Sequence, residues 1–266
     1  MRNLREKNNK EVLSVGDMRV IAVRNTKTLY RDGDKCIKVF VGDYKKSEVL
    51  SEAFHYSVVE DAGLHVPKVL EVGSVDGYPA ITYEYIKGPT LAQLMAENPK
   101  KKYEYLDLFI DLQLEVHKKS AKQLISIKDY LSLRIQQSDI EATARYFLLS
   151  KLQDMPIRHT ICHGDFNPSN IIISQDGTPY IVDWTGVTQG DPALDAAETY
   201  LLFWLDGDIS GAKYYLDNFQ KKAGVDRDYI QNWMPVVAAS HSVGCKADER
   251  EFLIGWIERH EYREDF

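Results

Sequence analysis

Two rhythms of hydrophobic and polar residues meet near residue 87. Before it, short alternating stretches rich in β-branched and aromatic residues predict strands at 18–23, 28–31, 35–40, 69–75 and 78–86. Asp32-Gly33 and Asp76-Gly77 sit at two of the junctions, and Asp-Gly between strand formers is a strong hairpin signal. One helix interrupts the strands. Val49, Leu50, Ala53, Phe54 and Val58 recur at helical spacing within residues 45–62, and Gly63 follows where a cap would end it. Beyond Gly88 the spacing is mainly helical, over 90–97, 103–119, 127–152, 191–206, 209–223, 228–239 and 248–261, with Pro99 and Pro156 as breakers. A strand pair, 170–174 and 179–183, is inserted among these helices. The pattern predicts an α+β protein: a small antiparallel-sheet lobe over 1–86, a hinge near 84–88, and a mainly helical lobe over 87–266. A cleft between two such lobes is a common place for a small-molecule site.

Composition narrows the class. With 44% hydrophobic residues in a chain of 266, a packed core is affordable and disorder is excluded for the whole. The formal charge of -7 comes without a dense basic patch, so neither nucleic acid nor an anionic membrane is an expected partner. Residues 1–86 carry 13 basic and 13 acidic side chains, which puts the whole excess of negative charge beyond them. Cys36, Cys162 and Cys245 lie far apart without metal-site spacing, and read as reduced thiols. The first eleven residues are polar apart from Met1 and Leu4, and no apolar run approaches the roughly 18 residues of a membrane span. A soluble cytoplasmic protein is expected.

The chemistry concentrates in ICHGDFNPSNIIISQDGTPYIVDWTG, residues 161–186. His163 and Asp165 fall in a turn-rich segment that Gly164 and Pro168 keep irregular, just before a β-branched strand. Asn170 opens that strand and Asp183 closes the next, so a hairpin would bring both to one end of a ribbon. Side-chain oxygens converging there suit Mg²⁺, a hard cation often bound beside substrate phosphates. Taken singly, an Asp at a strand end is a turn or cap residue, and a lone His holds a loop. Together the spacing is specific.

The run from His163 to Asn170 resembles the HGDxxxxN motif of the aminoglycoside phosphotransferase and choline kinase superfamily, relatives of protein kinases, and Asp183-Trp184-Thr185-Gly186 resembles the metal-binding Asp motif that follows it. The resemblance implies a protein-kinase-like two-lobe fold. It also implies Asp165 as the catalytic residue that accepts or orients a hydroxyl proton, with Asn170 and Asp183 holding Mg²⁺ against nucleotide phosphates. Over the rest of the chain, residues 29–40 are similar to the strand, turn and strand that carry a phosphate-binding Lys. Lys38 takes that role in preference to Lys35 at the turn. Glu52 is similar in position to the Glu that pairs with it, with Glu48 one turn away as a rival. Tyr83, Glu84, Tyr85 and Ile86 resemble the hinge whose backbone binds the base, with Ile37 and Ile86 as apolar contacts. The expected phosphate loop, residues 24–28, lacks glycine, so Thr26 and Thr28 are the candidate hydroxyls there. Gly164 and Trp184 also depart from the protein-kinase pattern.

The resemblance thus implies transfer of the γ-phosphoryl group of ATP, or alternatively GTP, to a hydroxyl of a small molecule such as an amino alcohol, a choline-like compound or an aminoglycoside. His163 is expected to support the loop, Asp191 to cap a helix with Pro192 at its first position, and Asp195 to organise the catalytic loop. The acidity of Asp206, Asp208, Asp248, Glu249, Glu251 and Glu258 favours a cationic acceptor if some of them converge. Two other readings remain: water as the acceptor, giving an ATPase, and an inactive kinase-like scaffold.

Overall fold

A computed structural model describes residues 18–24 and 26–258 of the protein; the first 17 residues, Asn25 of the expected phosphate loop and the expected end of the last helix near residue 261 lie outside that range. The chain divides into two compact units. The break after Ile86 separates residues 1–57 and 67–86 from the remainder, and residues 58–66 group with the second unit.

The first unit is an antiparallel sheet of five strands in the order β1-β2-β3-β5-β4: β1 (Arg19–Arg24), β2 (Lys27–Asp32), β3 (Lys35–Phe40), β4 (Val69–Val75) and β5 (Tyr78–Glu84). The β4–β5 hairpin turns on Asp76-Gly77, both at positive φ (49° and 84°), as a type I′ turn requires. In the β2–β3 hairpin Asp32 pairs with Lys35, so the two-residue turn is Gly33-Asp34, one position later than the dipeptide signal. Central β3 is buried from Ile37 to Phe40, and its alternation divides that burial between two faces. Ile37 and Val39 pack with Val75, Ala80, Met18 and Tyr30. Lys38 and Phe40 point to the opposite face, where Lys38 meets α1 (Lys46–Asp61). Ile37 is therefore withdrawn from the base contacts expected of it.

The second unit is mainly helical. It contains α2 (Leu91–Glu97), α3 (Lys102–His117), α4 (Ile127–Gln137), α5 (Ala142–Gln153), α6 (Pro192–Leu205), α7 (Ile209–Ala223), α8 (Arg227–Gln231), α9 (Met234–His241) and α10 (Ala247–Glu258). Thr90 opens α2 with a full capping box to Gln93. Two expected helices are broken. Residues 127–152 divide because Ser138 takes an extended conformation and Glu141 restarts the chain by accepting from Thr143 and Ala144 N–H. Residues 228–239 divide ahead of Pro235, which has no N–H to continue a ladder and sits at the start of α9.

Two small ribbons stand among the helices. β7 (Ile171–Ile173) pairs with β8 (Pro179–Ile181), the hairpin expected from the sequence. β6 (Thr160–Cys162) pairs with β9 (Thr188–Gly190), which the sequence did not announce. These pairs bracket the motif that begins at His163, which leaves β6 and re-enters at β9. Asp191 then caps α6, accepting from Ala193 N–H at 2.9 Å, and it also accepts from the Tyr229 hydroxyl at 2.8 Å. Asp191 is buried, so Asp191→Ala removes a cap and strands the Tyr229 hydroxyl. The expected loss in urea unfolding is about 2–3 kcal/mol. A loss below about 0.5 kcal/mol would show the cap to be energetically idle.

Candidate active site

In the first unit, Lys38 and Glu52 form a buried ion pair, 7% and 2% exposed, with Nζ 2.6 Å from Glu52 Oε1. The Tyr83 hydroxyl donates to the same oxygen at 2.9 Å, and Lys27 Nζ lies 3.5 Å from Oε2. Glu52 thereby gathers two ammonium groups, from β2 and β3. A half-broken buried pair costs about 3–5 kcal/mol, so the arrangement fixes where Lys38 points. Glu48 is settled by its own partner: it is exposed and accepts from Lys45 N–H at 2.9 Å, the reach-back of a helix start. Lys35 is exposed at its turn.

Lys27 was missed in the sequence. Its only signal was a basic residue just past the glycine-free turn, and its nearness to Glu52 depends on register, opposite Phe40. The Thr26 hydroxyl lies 3.0 Å from the Tyr44 hydroxyl, and Thr28 pairs with Val39 within the sheet. At the end of β5, Glu84 N–H donates to Lys68 O and Tyr85 N–H to Asp34 O, both at 2.9 Å. The N–H groups of Glu84 and Tyr85 are thus both spent within the first unit.

In the second unit the motif folds around Asp165. Asn167 Nδ2 donates to Asp165 Oδ1 and Asn170 Nδ2 to Oδ2, each at 2.9 Å. One amide per oxygen fixes the plane of the carboxylate. Burial is the main reason its pKa is raised above the ordinary aspartate value. The neighbouring His163 and the two amides oppose that rise, and the Asp183 carboxylate adds to it. His163 does support the loop: Asp165 N–H donates to Nδ1 and Nε2 faces Val182 O at 3.1 Å. Those bonds select the neutral tautomer with its proton on Nε2. Its ring rests against Trp184, centroids 4.5 Å apart.

Asn170 ends a short 3₁₀ turn, Pro168–Asn170, one residue before the strand it was expected to open. Its amide nitrogen is committed to Asp165, which turns the amide oxygen away from that carboxylate. Asp183 adopts a left-handed conformation, φ 63° and ψ 57°, and accepts from the Thr185 hydroxyl at 2.8 Å. The amide oxygen and carboxylate are hard donors, and they fit Mg²⁺. Among the described residues no group of three or more His, Cys, Asp or Glu side chains forms a metal cluster.

Asp195 organises the loop from behind. Its Oδ1 accepts Gly164 N–H at 2.8 Å, and its Oδ2 meets His117 Nε2 at 2.8 Å and Gln113 Nε2 at 3.1 Å. Thr199 on the same helix donates to Phe166 O. Of the six acidic residues of the later helices, Asp248 and Glu251 converge. With Trp204, Phe252, Gly255 and Trp256 they line an open hollow of about 510 Å³. Asp208 is spent on Lys102 and on capping α7, and Glu249 on Lys246.

A sequence profile of the phosphotransferase enzyme family matches residues 23–229, and the chain belongs to that family. The fold is that of aminoglycoside phosphotransferases and choline kinases. Aminoglycoside phosphotransferase APH(4)-Ia, solved as a thermostable mutant with AMP-PNP and hygromycin B, is similar with a TM-score of 0.67 at 15% identity, over 92% of each chain. A choline/ethanolamine kinase family protein from Mesorhizobium loti aligns with a TM-score of 0.59 at 14% identity, over 94% of this chain and 89% of that one. Choline kinase LicA from Streptococcus pneumoniae gives 0.61 at 15%, over 90% and 91%. No curated protein matches the chain in sequence.

Gly164 explains one departure from the protein-kinase pattern. It has φ 76°, and an added Cβ would lie 2.4 Å from the Gly186 carbonyl oxygen, backbone against backbone. Gly177, at φ 88° with nothing within 4 Å of such a Cβ, isolates the conformational cost alone. Gly177→Ala is expected to lose about 1 kcal/mol, and Gly164→Ala at least about 2 kcal/mol more. Thermal unfolding of both variants makes the comparison, and equal losses would show the close approach to be relaxed at no cost.

Proposed function

We propose that the protein transfers the γ-phosphoryl group of ATP to a hydroxyl of a small molecule carrying a positive charge. The observation that carries the transfer is Asp165: a half-buried carboxylate, gripped by one amide per oxygen, with its basicity raised. Those features suit a residue that orients a hydroxyl and takes its proton as the bond to phosphorus forms. Lys38, aimed by Glu52 and joined by Lys27, offers charge to the donor phosphates, with the Thr26 and Thr28 hydroxyls near the same turn. Glu84 and Ile86 offer backbone to the base, which leaves GTP open as the donor. Asn170 and Asp183 would hold Mg²⁺, which when bound neutralises phosphate charge.

The family is one of phosphotransferases, and the solved complex of APH(4)-Ia holds a nucleotide analogue together with an aminoglycoside. A scaffold would have no use for a carboxylate held this way. A hydrolase would have none for the acid-rimmed, aromatic-walled hollow, whose Trp and Phe faces and two carboxylates suit a cationic group.

Asp165→Asn is expected to lower single-turnover transfer by about 10²-fold or more, with nucleotide binding largely kept. An unchanged rate with a true acceptor would refute the role of Asp165. Among hydroxyl acceptors matched in size, the cationic ones should give the higher kcat/KM, by a margin that shrinks as salt rises. Nucleoside diphosphate release across such a series measures it, and a clear preference for anionic acceptors would overturn the charge assignment.

A further inference from the structure

The face of α1 opposite Glu52 carries a pattern that the sheet does not use. Lys46, Leu50, Phe54, Ser57 and Asp61 follow one another at helical spacing, and at about 100° per residue they stay within about 80° of one line along the helix. All five are exposed, and the apolar pair at the centre, Leu50 and Phe54, are 46% and 45% exposed. Val49 and Glu52 project from the other side and are buried.

The charges on this face run against their own helix. Aligned peptide dipoles favour acids at a helix start and bases at its end. α1 opens with Lys46 and closes with Glu60 and Asp61, and no base stands in its last turn. Glu48, the acid of the first turn, is used on Lys45 N–H. Among the described residues Lys46, Glu60 and Asp61 form no ion pair that would account for their placement. A solitary helix gains nothing from this arrangement. An antiparallel neighbour of the same sequence gains at both ends.

We propose that α1 is a self-association face, on which the α1 of a second copy of this chain lies antiparallel about a two-fold axis. The middle of the stretch from Lys46 to Asp61 falls between Ala53 and Phe54. An axis there brings Lys46 of each copy opposite the Glu60 and Asp61 end of the other, about 11 Å from the axis along the helix. The two Phe54 rings meet at the axis, and each Leu50 lies over Ser57 of the other copy. Ser57 is small, and its hydroxyl already donates to Phe54 O at 2.8 Å, so covering it strands no donor. The opposed helix dipoles favour the same arrangement. A parallel pairing would set Lys46 against Lys46, so the charges also select against the alternative.

One helix pair lies at the small end of specific interfaces, so the association is weak, with Kd of order 10–100 µM. It leaves the Lys38–Glu52 pair on the far side of α1 untouched. The proposal is independent of the functional reading, and its test needs no substrate.

Sedimentation of the full chain from about 1 to about 500 µM reads the association directly. The parent should pass from monomer to dimer across that range. Phe54→Lys should raise Kd by about tenfold or more. Lys46→Glu, and Glu60→Lys together with Asp61→Lys, should each weaken self-association, because each gives one helix like charges at both ends. Mixed in equal amounts, these two charge-reversed chains should associate with each other at least as tightly as the parent does with itself. A general loss of folding could not produce that recovery. Both reversals agree with the helix dipole, so the thermal midpoint of either chain as a monomer, read at about 1 µM, should equal or exceed that of the parent. A parent that stays monomeric to about 500 µM overturns the proposal. So does a dimer that Phe54→Lys leaves intact, or a pair of folded charge-reversed chains that do not associate on mixing.

Discussion

The segment around Asp165 depends on one buried carboxylate that stands behind it. Asp195 is 1% exposed, and an unpaired charge at such depth would cost several kcal/mol. It is tolerated because each of its oxygens is used: Gly164 N–H on one, His117 and Gln113 on the other. Those partners come from the catalytic loop and from α3. Tyr215 of α7 extends the network by donating to Gln113 Oε1 at 2.6 Å. Burial would raise the Asp195 pKa, but the bond and charge of His117, helped by Gly164, carry it below the ordinary value. The ionised form is therefore the native one. Moving the loop would expose or orphan this charge, so the loop stays where α3 and α6 put it.

A related constraint shapes the first unit by itself. Lys38 sits in the middle of a buried strand, where a lysine is tolerated only if its ammonium is paired. Glu52 is in turn buried and held by Lys27 and Tyr83 as well. In each unit the charged group proposed to meet substrate is thus aimed by a second: Lys38 by Glu52, and the Asp165 loop by Asp195. The aiming residues are more deeply buried than the acting ones, as preorganisation requires.

How much of this could be read in the sequence follows from which forces are local. The hairpin at Asp76-Gly77, the helix ending before Gly63 and the cap at Asp191 are local, and residue type alone announces them, whereas the Asp32-Gly33 signal announced a hairpin whose turn falls one position later. Lys38 stood out because a lysine interrupts Ile37 and Val39. Choosing Glu52 over Glu48 needed the helix phase, and only the structure shows Glu48 turned back on Lys45. β6 and β9 were hidden because strands of three residues carry no periodicity, and their pairing joins residues nearly thirty apart. The break at 138–141 was hidden because Ile135, Ile140 and Ala144 keep apolar spacing across it. The contact of Glu198 with His241 gave no signal at all, since nothing in either neighbourhood tells which helix face meets the other.

The loop also gathers features that each work against stability. Gly164 and Asp183 occupy left-handed conformations, and Asp165 is desolvated within the field of Asp183. An αL conformation in a residue other than glycine costs of order 1 kcal/mol, and repulsion between half-buried acids adds to it. None of this is needed to close the β7–β8 hairpin, whose turn is made by Ser174, Asp176 and Gly177 well away from these residues. The strain lies where a metal ion, a phosphate chain and a hydroxyl would have to be held together, and the ligands that relieve it are those the site would bind. Positive charge arriving near Asp183 removes that carboxylate's part of the rise in the Asp165 pKa, the larger part being burial. Filling the site therefore leaves Asp165 less basic than it is in the free protein, and this limits how strongly it can act as a base. Its share of the work shifts toward orienting the hydroxyl, a role that depends on the grip of Asn167 and Asn170 more than on proton affinity.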